Sequence, residues 1–278
     1  MSRRLPHPPS PTEFKRMNTA EVRSSFLLDC LFEPGQIRTC YSDIDRAFVG
    51  GAVPAGGRLQ LEAPDDLASD CFTMRRELGI VNLGGTGTVF VNQTAYGLEH
   101  RDTLYVGRGS ATIYFCSEGA EEPAAFYFVS YPAHMAYPAV RVGPKEAQME
   151  TLGSAAGANR RTIRRYIRPG AVETCQLTLG ITDLEDGSVW NTMPVHRHSR
   201  RSEIYLYFGL RDEDVVFHYL GEPDETRHMA VRNLQGVLSP GWSIHAGVGT
   251  ASYSFVWAMG GENREFSDMD HVPMKSLA

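Results

Sequence analysis

The sequence predicts an all-β protein of two barrel-like domains, preceded by one short helix. Short apolar runs recur along the chain and are separated by Gly, Asn, Asp and Pro, which is the pattern of a β-barrel or β-sandwich. The same pattern returns after residues 142–159, which are rich in Gly, Ala, Pro and polar residues and indicate a linker. We therefore expect one domain at 18–150 and a second at 151–278.

The chain opens with a basic, proline-rich run that is not followed by the apolar core of a secretory signal. This composition predicts that residues 1–17 form a disordered N-terminal extension. In the next stretch, Val22, Phe26 and Leu27 recur near helical spacing, and Thr19 can serve as the N-cap. The sequence therefore predicts a short amphipathic helix at 19–31.

Both predicted domains contain runs of aromatic and β-branched residues, the composition of β-strands. In the first domain these runs lie at 89–91, 104–106, 111–115 and 125–129. In the second they lie at 176–181, 204–208, 215–219, 236–238 and 253–259. Strands of this length at regular intervals again favour barrels.

The length, charge and cysteine content of the chain argue against several classes of protein. The chain has 278 residues, 42% of them hydrophobic, which is enough for a substantial core. Its net charge of -6 gives no general electrostatic reason to expect nucleic-acid binding. No apolar stretch approaches the roughly 20 residues that span a bilayer. The five cysteines are widely spaced and odd in number, which disfavours a disulfide framework. We expect a reduced cytoplasmic protein.

Four side chains of the second half form a candidate metal site. His196 and His198 are two positions apart, so on a strand both point to the same face. Glu203 follows after a polar connection, and His245 comes later, after a Pro-Gly turn. This joint pattern predicts that His196, His198 and Glu203 bind one ion together with His245.

Three imidazoles and one carboxylate suit zinc, and they also tolerate iron, manganese, nickel or cobalt. Such a site can be structural and closed, or it can admit a substrate oxygen. In the first half, His100 and His134 have no histidine two positions away, so we expect that half to be metal-free. His218, His228 and His271 are interpreted as structural residues.

The spacing of these four residues resembles the metal-binding motifs of the cupin superfamily. A longer set of segments is similar to the 5-dehydro-4-deoxy-D-glucuronate isomerase family. The similarity extends from about residue 18 to the last residues, and its segments lie at 75–79 (Arg-Arg-Glu-Leu-Gly), 100–102, 104–107, 159–163 (Asn-Arg-Arg-Thr-Ile), 173–177, 190–194 (Trp-Asn-Thr-Met-Pro), 225–228, 242–245 (Trp-Ser-Ile-His), 261–263 and 268–271.

The resemblance implies two cupin-like double-stranded β-helix barrels, a bicupin, in a homohexamer. It implies one Zn²⁺ per subunit at the four residues above and a ketol-isomerase of pectin and uronate breakdown. The reaction would convert 5-dehydro-4-deoxy-D-glucuronate to 3-deoxy-D-glycero-2,5-hexodiulosonate, with zinc polarising the carbonyl. Sequence does not identify the base, for which Glu225, His228 and Tyr253 are candidates.

An arginine-rich run at 160–165 has the composition of a solvated surface. Because Arg160 and Arg161 fall within a segment that resembles the isomerases, the other interpretation is that one of them binds the substrate carboxylate in a bidentate fashion. Aromatic residues of the second half, such as Tyr205 and Trp257, either line a sugar pocket or belong to the core.

Two other functions compete with the isomerase. In an oxygen-dependent cupin dioxygenase the same ligands would hold Fe(II). In a non-catalytic sugar-binding cupin the metal would only stabilise the barrel. The isomerase is favoured because its resemblance extends far beyond the four ligands.

Overall fold

The structure, a computed structural model, describes residues 2–278. Within this range it contains two α-helices, α1 (Pro11–Phe14) and α2 (Thr19–Phe26), and short 3-10 turns at Ile44–Arg46, Asp65–Leu67 and Met274–Ser276. All other regular structure is β.

Twelve strands precede residue 143 in the described chain. They are β1 (Ser2–Arg4), β2 (Leu27–Leu28), β3 (Gln36–Tyr41), β4 (Phe48–Val53), β5 (Leu59–Gln60), β6 (Arg76–Asn82), β7 (Gly87–Val91), β8 (Thr94–Leu98), β9 (Thr103–Val106), β10 (Ile113–Ser117), β11 (Phe126–Pro132) and β12 (Val140–Val142). Twelve more follow. They are β13 (Gln148–Leu152), β14 (Arg161–Ile167), β15 (Thr178–Leu184), β16 (Trp190–Asn191), β17 (His196–Arg197), β18 (Arg201–Phe208), β19 (Val216–Glu222), β20 (Glu225–Val231), β21 (Gly236–Ser239), β22 (Ile244–Gly249), β23 (Ser254–Gly261) and β24 (Asp270–His271).

Each half of the molecule pairs a seven-stranded sheet with a four-stranded sheet. The strand orders are β1-β3-β4-β11-β6-β9-β12 and β5-β10-β7-β8 in the first half. In the second half they are β13-β14-β15-β23-β18-β21-β2 and β16-β22-β19-β20. The two halves therefore repeat one topology, and the predicted all-β fold of two cupin-like barrels is confirmed.

Three large hydrophobic clusters hold the molecule together. One fills the first barrel, one lies inside the second, and one lies between the two seven-stranded sheets. Because strand side chains alternate, each large sheet serves two clusters. In β18, Tyr205 and Tyr207 face the barrel interior, whereas Ile204 and Leu206 pack against the other half.

A buried carboxylate joins the two halves. Glu77 of β6 is fully buried and accepts hydrogen bonds from the N–H groups of Cys175, Gln176 and Leu177 at 2.7, 2.8 and 2.8 Å. The hydroxyl of Tyr105 donates a further bond to Glu77 at 3.0 Å. One side chain of the first half thus fixes a turn of the second, which favours a single rigid unit.

The expectation of a disordered extension is wrong for residues 2–17. Strand β1 pairs in parallel with β3, and a capping box between Ser10 and Glu13 begins α1. Leu5 and Phe14 are buried, at 4% and 1% exposure. Two apolar anchors and a helix cap therefore outweigh the proline-rich composition of this segment.

The predicted helix is shorter than expected and has a different cap. The N-cap of α2 is Asn18 rather than Thr19. The Asn18 side chain accepts a hydrogen bond from the N–H of Glu21, and the Glu21 carboxylate accepts one from the N–H of Asn18, which forms a capping box. The helix ends at Phe26, since Leu27 is extended and pairs with β21 in the second barrel.

The boundary near residue 150 falls inside β13, which pairs with β14. The predicted linker is therefore wrong at 148–152, where a regular edge strand forms. Helices α1 and α2 and strand β2 pack on the second barrel, so the two structural units are not consecutive in sequence. The division into domains at 18–150 and 151–278 stays a prediction.

Candidate metal centre

The four predicted ligands converge between the two sheets of the second barrel. His196 lies in β17, His198 directly follows it, Glu203 lies in β18 and His245 lies in β22. One potential ligand atom from each lies within 4.8 Å of the others. The large sheet supplies the glutamate and the small sheet supplies His245, so the site forms only when the barrel closes.

The donor atoms are close enough to share one ion. Glu203 Oε2 lies 3.0 Å from His198 Nε2 and 2.9 Å from His245 Nε2. His245 Nε2 lies 3.2 Å from His196 Nε2. His198, Glu203 and His245 are nearly inaccessible to solvent, whereas His196 is half-buried. Three of the four potential donors are therefore buried, and the fourth, His196, is partly exposed to solvent.

The hydrogen bonds of His198 test whether a cation fits this site. Its Nδ1 lies 2.7 Å from the main-chain oxygen of Asp268, which can only accept. In the neutral ring the proton is therefore on Nδ1, and Nε2 presents a lone pair to a Glu203 oxygen 3.0 Å away. Two acceptors at this distance repel each other unless a proton or a cation lies between them. The donor set thus fits a divalent metal ion.

Burial lowers the pKa of two of the three imidazoles, which favours their neutral form. Burial, with His245 and His198 nearby, lowers the pKa of His196 to about 2. Burial also lowers the pKa of His245. For Glu203, burial alone would raise the pKa, but the neighbouring His245 and His198 hold it well below its usual value. Neutral imidazoles and an ionised carboxylate are the forms that bind metals.

A cavity of about 280 Å³ lies over the cluster. Three of the four candidate residues, His196, His198 and Glu203, form part of its wall. Its other polar lining residues are Arg161, Thr182, Thr192, Tyr205 and His271. Apolar residues complete the wall and include Ile163, Phe255, Trp257, Met259, Phe266 and Met269. A small polar molecule could reach the candidate metal centre through this largely apolar cavity.

The two predicted substrate-binding arginines have different positions. Arg161 is half-buried in the cavity wall, where burial lowers its pKa, and its Nη1 donates to the main-chain oxygen of Asn159 at 2.9 Å. Arg160 Nε lies 3.0 Å from Glu185 Oε2 at the surface. Within residues 2–278 the cavity wall includes Arg161 but not Arg160.

The three candidate bases lie elsewhere in the barrel. Glu225 forms an ion pair with Arg227 at 2.6 Å, and His228 is exposed on β20. The hydroxyl of Tyr253 is held by Asn191 Nδ2 at 2.7 Å. None of them is among the described residues that line the cavity.

Sequence reasoning missed the contribution of the segment at 262–271 to the cavity. Phe266, Met269 and His271 all line it, and β24 pairs with β17 so that His271 lies opposite His196. Residues 268–271 belonged to the resemblance, but neither spacing nor composition indicated that they meet the ligands. His271, interpreted as structural, therefore lies beside the candidate metal centre.

No helix within residues 2–278 combines the length and the apolar character needed to cross a membrane.

Comparison with known proteins identifies the family. The model of the KduI/IolB family matches residues 30–274. The 4-deoxy-L-threo-5-hexosulose-uronate ketol-isomerase of Lachnoclostridium phytofermentans is 50% identical over 268 residues, which cover 96% of this chain and 97% of that protein. The enzyme of the same name from Shouchella clausii is 49% identical over 267 residues, with coverage of 96% and 97%.

A solved structure supports the fold independently. An IolB-like protein from Salmonella typhimurium LT2 superposes with a TM-score of 0.70 at 15% identity, covering 89% of this chain and 96% of that one. At this identity the likeness shows the fold alone. The prediction of an enzyme of the ketol-isomerase class, an intramolecular oxidoreductase, is confirmed by the named relatives. The chain belongs to the KduI/IolB family.

Proposed function

We propose that this protein converts 5-dehydro-4-deoxy-D-glucuronate, also called 4-deoxy-L-threo-5-hexosulose uronate, to 3-deoxy-D-glycero-2,5-hexodiulosonate. The observation that carries the proposal is the set of four convergent potential metal donors, three of which line a cavity that also contains one guanidinium group. The names of relatives at 50% and 49% identity support the same substrate.

His196, His198, Glu203 and His245 would hold one Zn²⁺ per subunit. A bound zinc would supply Lewis-acid polarisation of the sugar carbonyl. The isomerisation moves one hydrogen from C2 to C1 and one from the C2 hydroxyl to the aldehyde oxygen, so it needs no external oxidant or reductant. A redox-inert ion suits this balance.

Arg161 would bind the uronate carboxylate. Its guanidinium is half-buried within the cavity wall, where a carboxylate is weakly screened and a bidentate pair is favoured. The walls formed by Phe255, Trp257 and Phe266 would limit access of water to the reacting carbons. The paired hydroxyls of Thr192 and Tyr205, 2.9 Å apart, can bond to sugar hydroxyls.

The reaction would take place in the cytoplasm, as part of pectin and uronate breakdown. The free thiols of all five cysteines agree with a reducing compartment. A homohexamer, which the resemblance implies, stays a prediction that light scattering on the purified protein would test.

The proposed function is tested by incubating metal-characterised protein with 5-dehydro-4-deoxy-D-glucuronate under anaerobic conditions in deuterated water. NMR should show the diulosonate forming without oxygen. Deuterium at C1 would indicate a proton that exchanges with solvent, and its absence a direct hydride shift. No conversion after zinc or manganese is restored would overturn the isomerase and favour an Fe(II) dioxygenase or a sugar-binding cupin.

A further inference from the structure

The segment at 262–271, called here the wall segment, forms one side of the candidate metal centre. Phe266, Met269 and His271 of this segment line the cavity. Its regular backbone pairing is limited to the two residues of β24. Side-chain contacts must therefore supply much of what holds it against the barrel.

Arg200 makes the densest set of these side-chain contacts. Its Nε lies 2.9 and 2.8 Å from the two carboxylate oxygens of Asp268, and its Nη2 lies 2.9 Å from Asp270 Oδ1. Nη2 also contacts Asp268. The guanidinium thus grips two acidic side chains of the wall segment in the planar, multidentate geometry that only arginine provides.

Through Asp268, the contacts of Arg200 are connected to His198, one of the proposed metal ligands. The main-chain oxygen of this residue accepts from His198 Nδ1 at 2.7 Å and from Arg201 Nη2 at 3.0 Å. The carboxylate of Asp268 is held by Arg200, two residues after His198. These contacts are connected: Arg200 holds the carboxylate of Asp268, and the carbonyl of Asp268 accepts the hydrogen bond that orients the ring of His198.

The opposite side of the wall segment is braced by aromatic packing. The guanidinium of Arg165 lies 4.0 Å from the ring centroid of Phe266, and the ring of Trp257 lies 5.4 Å from it. These contacts place Phe266 but do not reach His198. Arg200 thus links the side chains of the wall segment to the orientation of His198, while Arg201 contacts the Asp268 carbonyl directly.

We propose that Arg200 is a positioning residue of the metal centre, which sets the orientation of His198 by holding the Asp268 carbonyl in place. This inference rests on the proposed metal-dependent isomerase. A partner that orients a ligating histidine typically changes metal affinity by about 10- to 100-fold when it is lost. Arg200 touches no reacting atom, so its role is exerted through Asp268.

The test compares Arg200→Gln with Arg211→Gln. Arg211 is a matched control because it also makes a bidentate pair, with Asp214 at 2.7 and 3.1 Å, on another part of the surface. Zinc affinity is measured by chelator competition on the full chain, and the cobalt-substituted protein is compared by its visible spectrum. We expect about 10- to 100-fold weaker zinc binding and an altered cobalt spectrum for Arg200→Gln only.

Two further variants sharpen the result. Arg200→Lys keeps the charge but loses the planar fork, so it should recover only part of the affinity. Asp270→Asn removes one of the two gripped carboxylates and should weaken zinc binding less than Arg200→Gln does. Unchanged zinc affinity and cobalt spectrum in Arg200→Gln, or an equal loss in Arg211→Gln, would overturn the positioning role.

The metal readout needs no substrate, so it separates this inference from the proposed function. A wild-type protein that binds zinc but does not convert the uronate would overturn the isomerase and leave the role of Arg200 intact. A wild-type protein without measurable zinc affinity would overturn both.

Discussion

The two barrels have the same strand order but different interiors. The first is filled by aromatic side chains, all at most 2% exposed: Phe48, Phe72, Phe115, Phe126 and Phe128. The interior of the second combines a hydrophobic cluster with the three histidines and the glutamate, beside a cavity of about 280 Å³. One scaffold thus supports a packed core in one half and a candidate site in the other.

The fifth strand of each large sheet shows how small the difference is. In β6, Leu78 and Ile80 point into the first barrel. In β18, Glu203 and Tyr205 point into the second. A leucine packs in an apolar interior without a specific partner, whereas a buried carboxylate requires partners of opposite charge or hydrogen-bond donors. The histidines and any ion they hold meet that requirement.

The largest expected effect removes a ligand from the second barrel. His198→Ala should lower turnover by at least about a thousandfold, roughly 4 kcal/mol of transition-state stabilisation, because it removes a donor from the centre. Bound zinc, measured by elemental analysis, should fall in parallel. The exposed His134 of the first barrel provides the control, since His134→Ala should change neither quantity. Full activity in metal-stripped His198→Ala would contradict a metal-dependent reaction.

The next effect concerns the packed interior. Phe126→Ala leaves a cavity in the first barrel and should cost about 3–5 kcal/mol of stability. Thermal unfolding should show a clear loss of Tm, while zinc affinity at a temperature below the transition stays the same. Zinc binding that falls as it does in His198→Ala would show that the two interiors are not separate in function.

A smaller effect is expected at the junction of the halves. Glu77→Gln replaces a carboxylate that accepts four hydrogen bonds with an amide that carries one acceptor oxygen, leaving buried donors unpaired. We expect a loss of about 2–3 kcal/mol in unfolding free energy, measured with urea. Glu62→Gln at an exposed position is the control. Equal stability of the two variants would mean that the junction contributes little.

The smallest effect distinguishes the two neighbouring arginines. Arg161→Gln should raise KM for the uronate about 10- to 100-fold, roughly 1.4–2.8 kcal/mol, with a smaller change in kcat. Arg160→Gln should stay within about twofold of wild type, because Arg160 pairs with Glu185 at the surface. Steady-state kinetics on both variants would decide, and the reverse ranking would remove Arg161 from the substrate site.

The convergence of the four candidate side chains could be predicted from the sequence because the pattern is local. His196 and His198 are separated by the two-residue period of a strand, and Glu203 is the third residue of the next strand, so short-range geometry brings three of the four donors together. His245 was found by its turn and by the resemblance. The alternation of apolar runs likewise predicted the barrels.

The remaining features depend on contacts between distant parts of the chain. Arg23 of α2 donates to the main-chain oxygen of Ala230 at 2.8 Å, across 207 positions. The wall segment meets His198 across 70 positions through Asp268. No local pattern encodes contacts between residues so far apart in sequence. For the same reason, the composition of the N-terminal residues predicted a disordered extension, because it could not show that Leu5 and Phe14 are buried against other parts of the chain.

The packing of α1 and α2 has a consequence for how the chain is synthesised. The rings of Phe14 and Phe26 lie 5.4 and 6.4 Å from that of Trp242, inside the second barrel. A ribosome therefore synthesises α1 and α2 before most of the first barrel, and more than two hundred further residues must follow before Trp242 exists. The half that carries the candidate metal centre is therefore completed by packing against α1 and α2, which are synthesised long before its own strands.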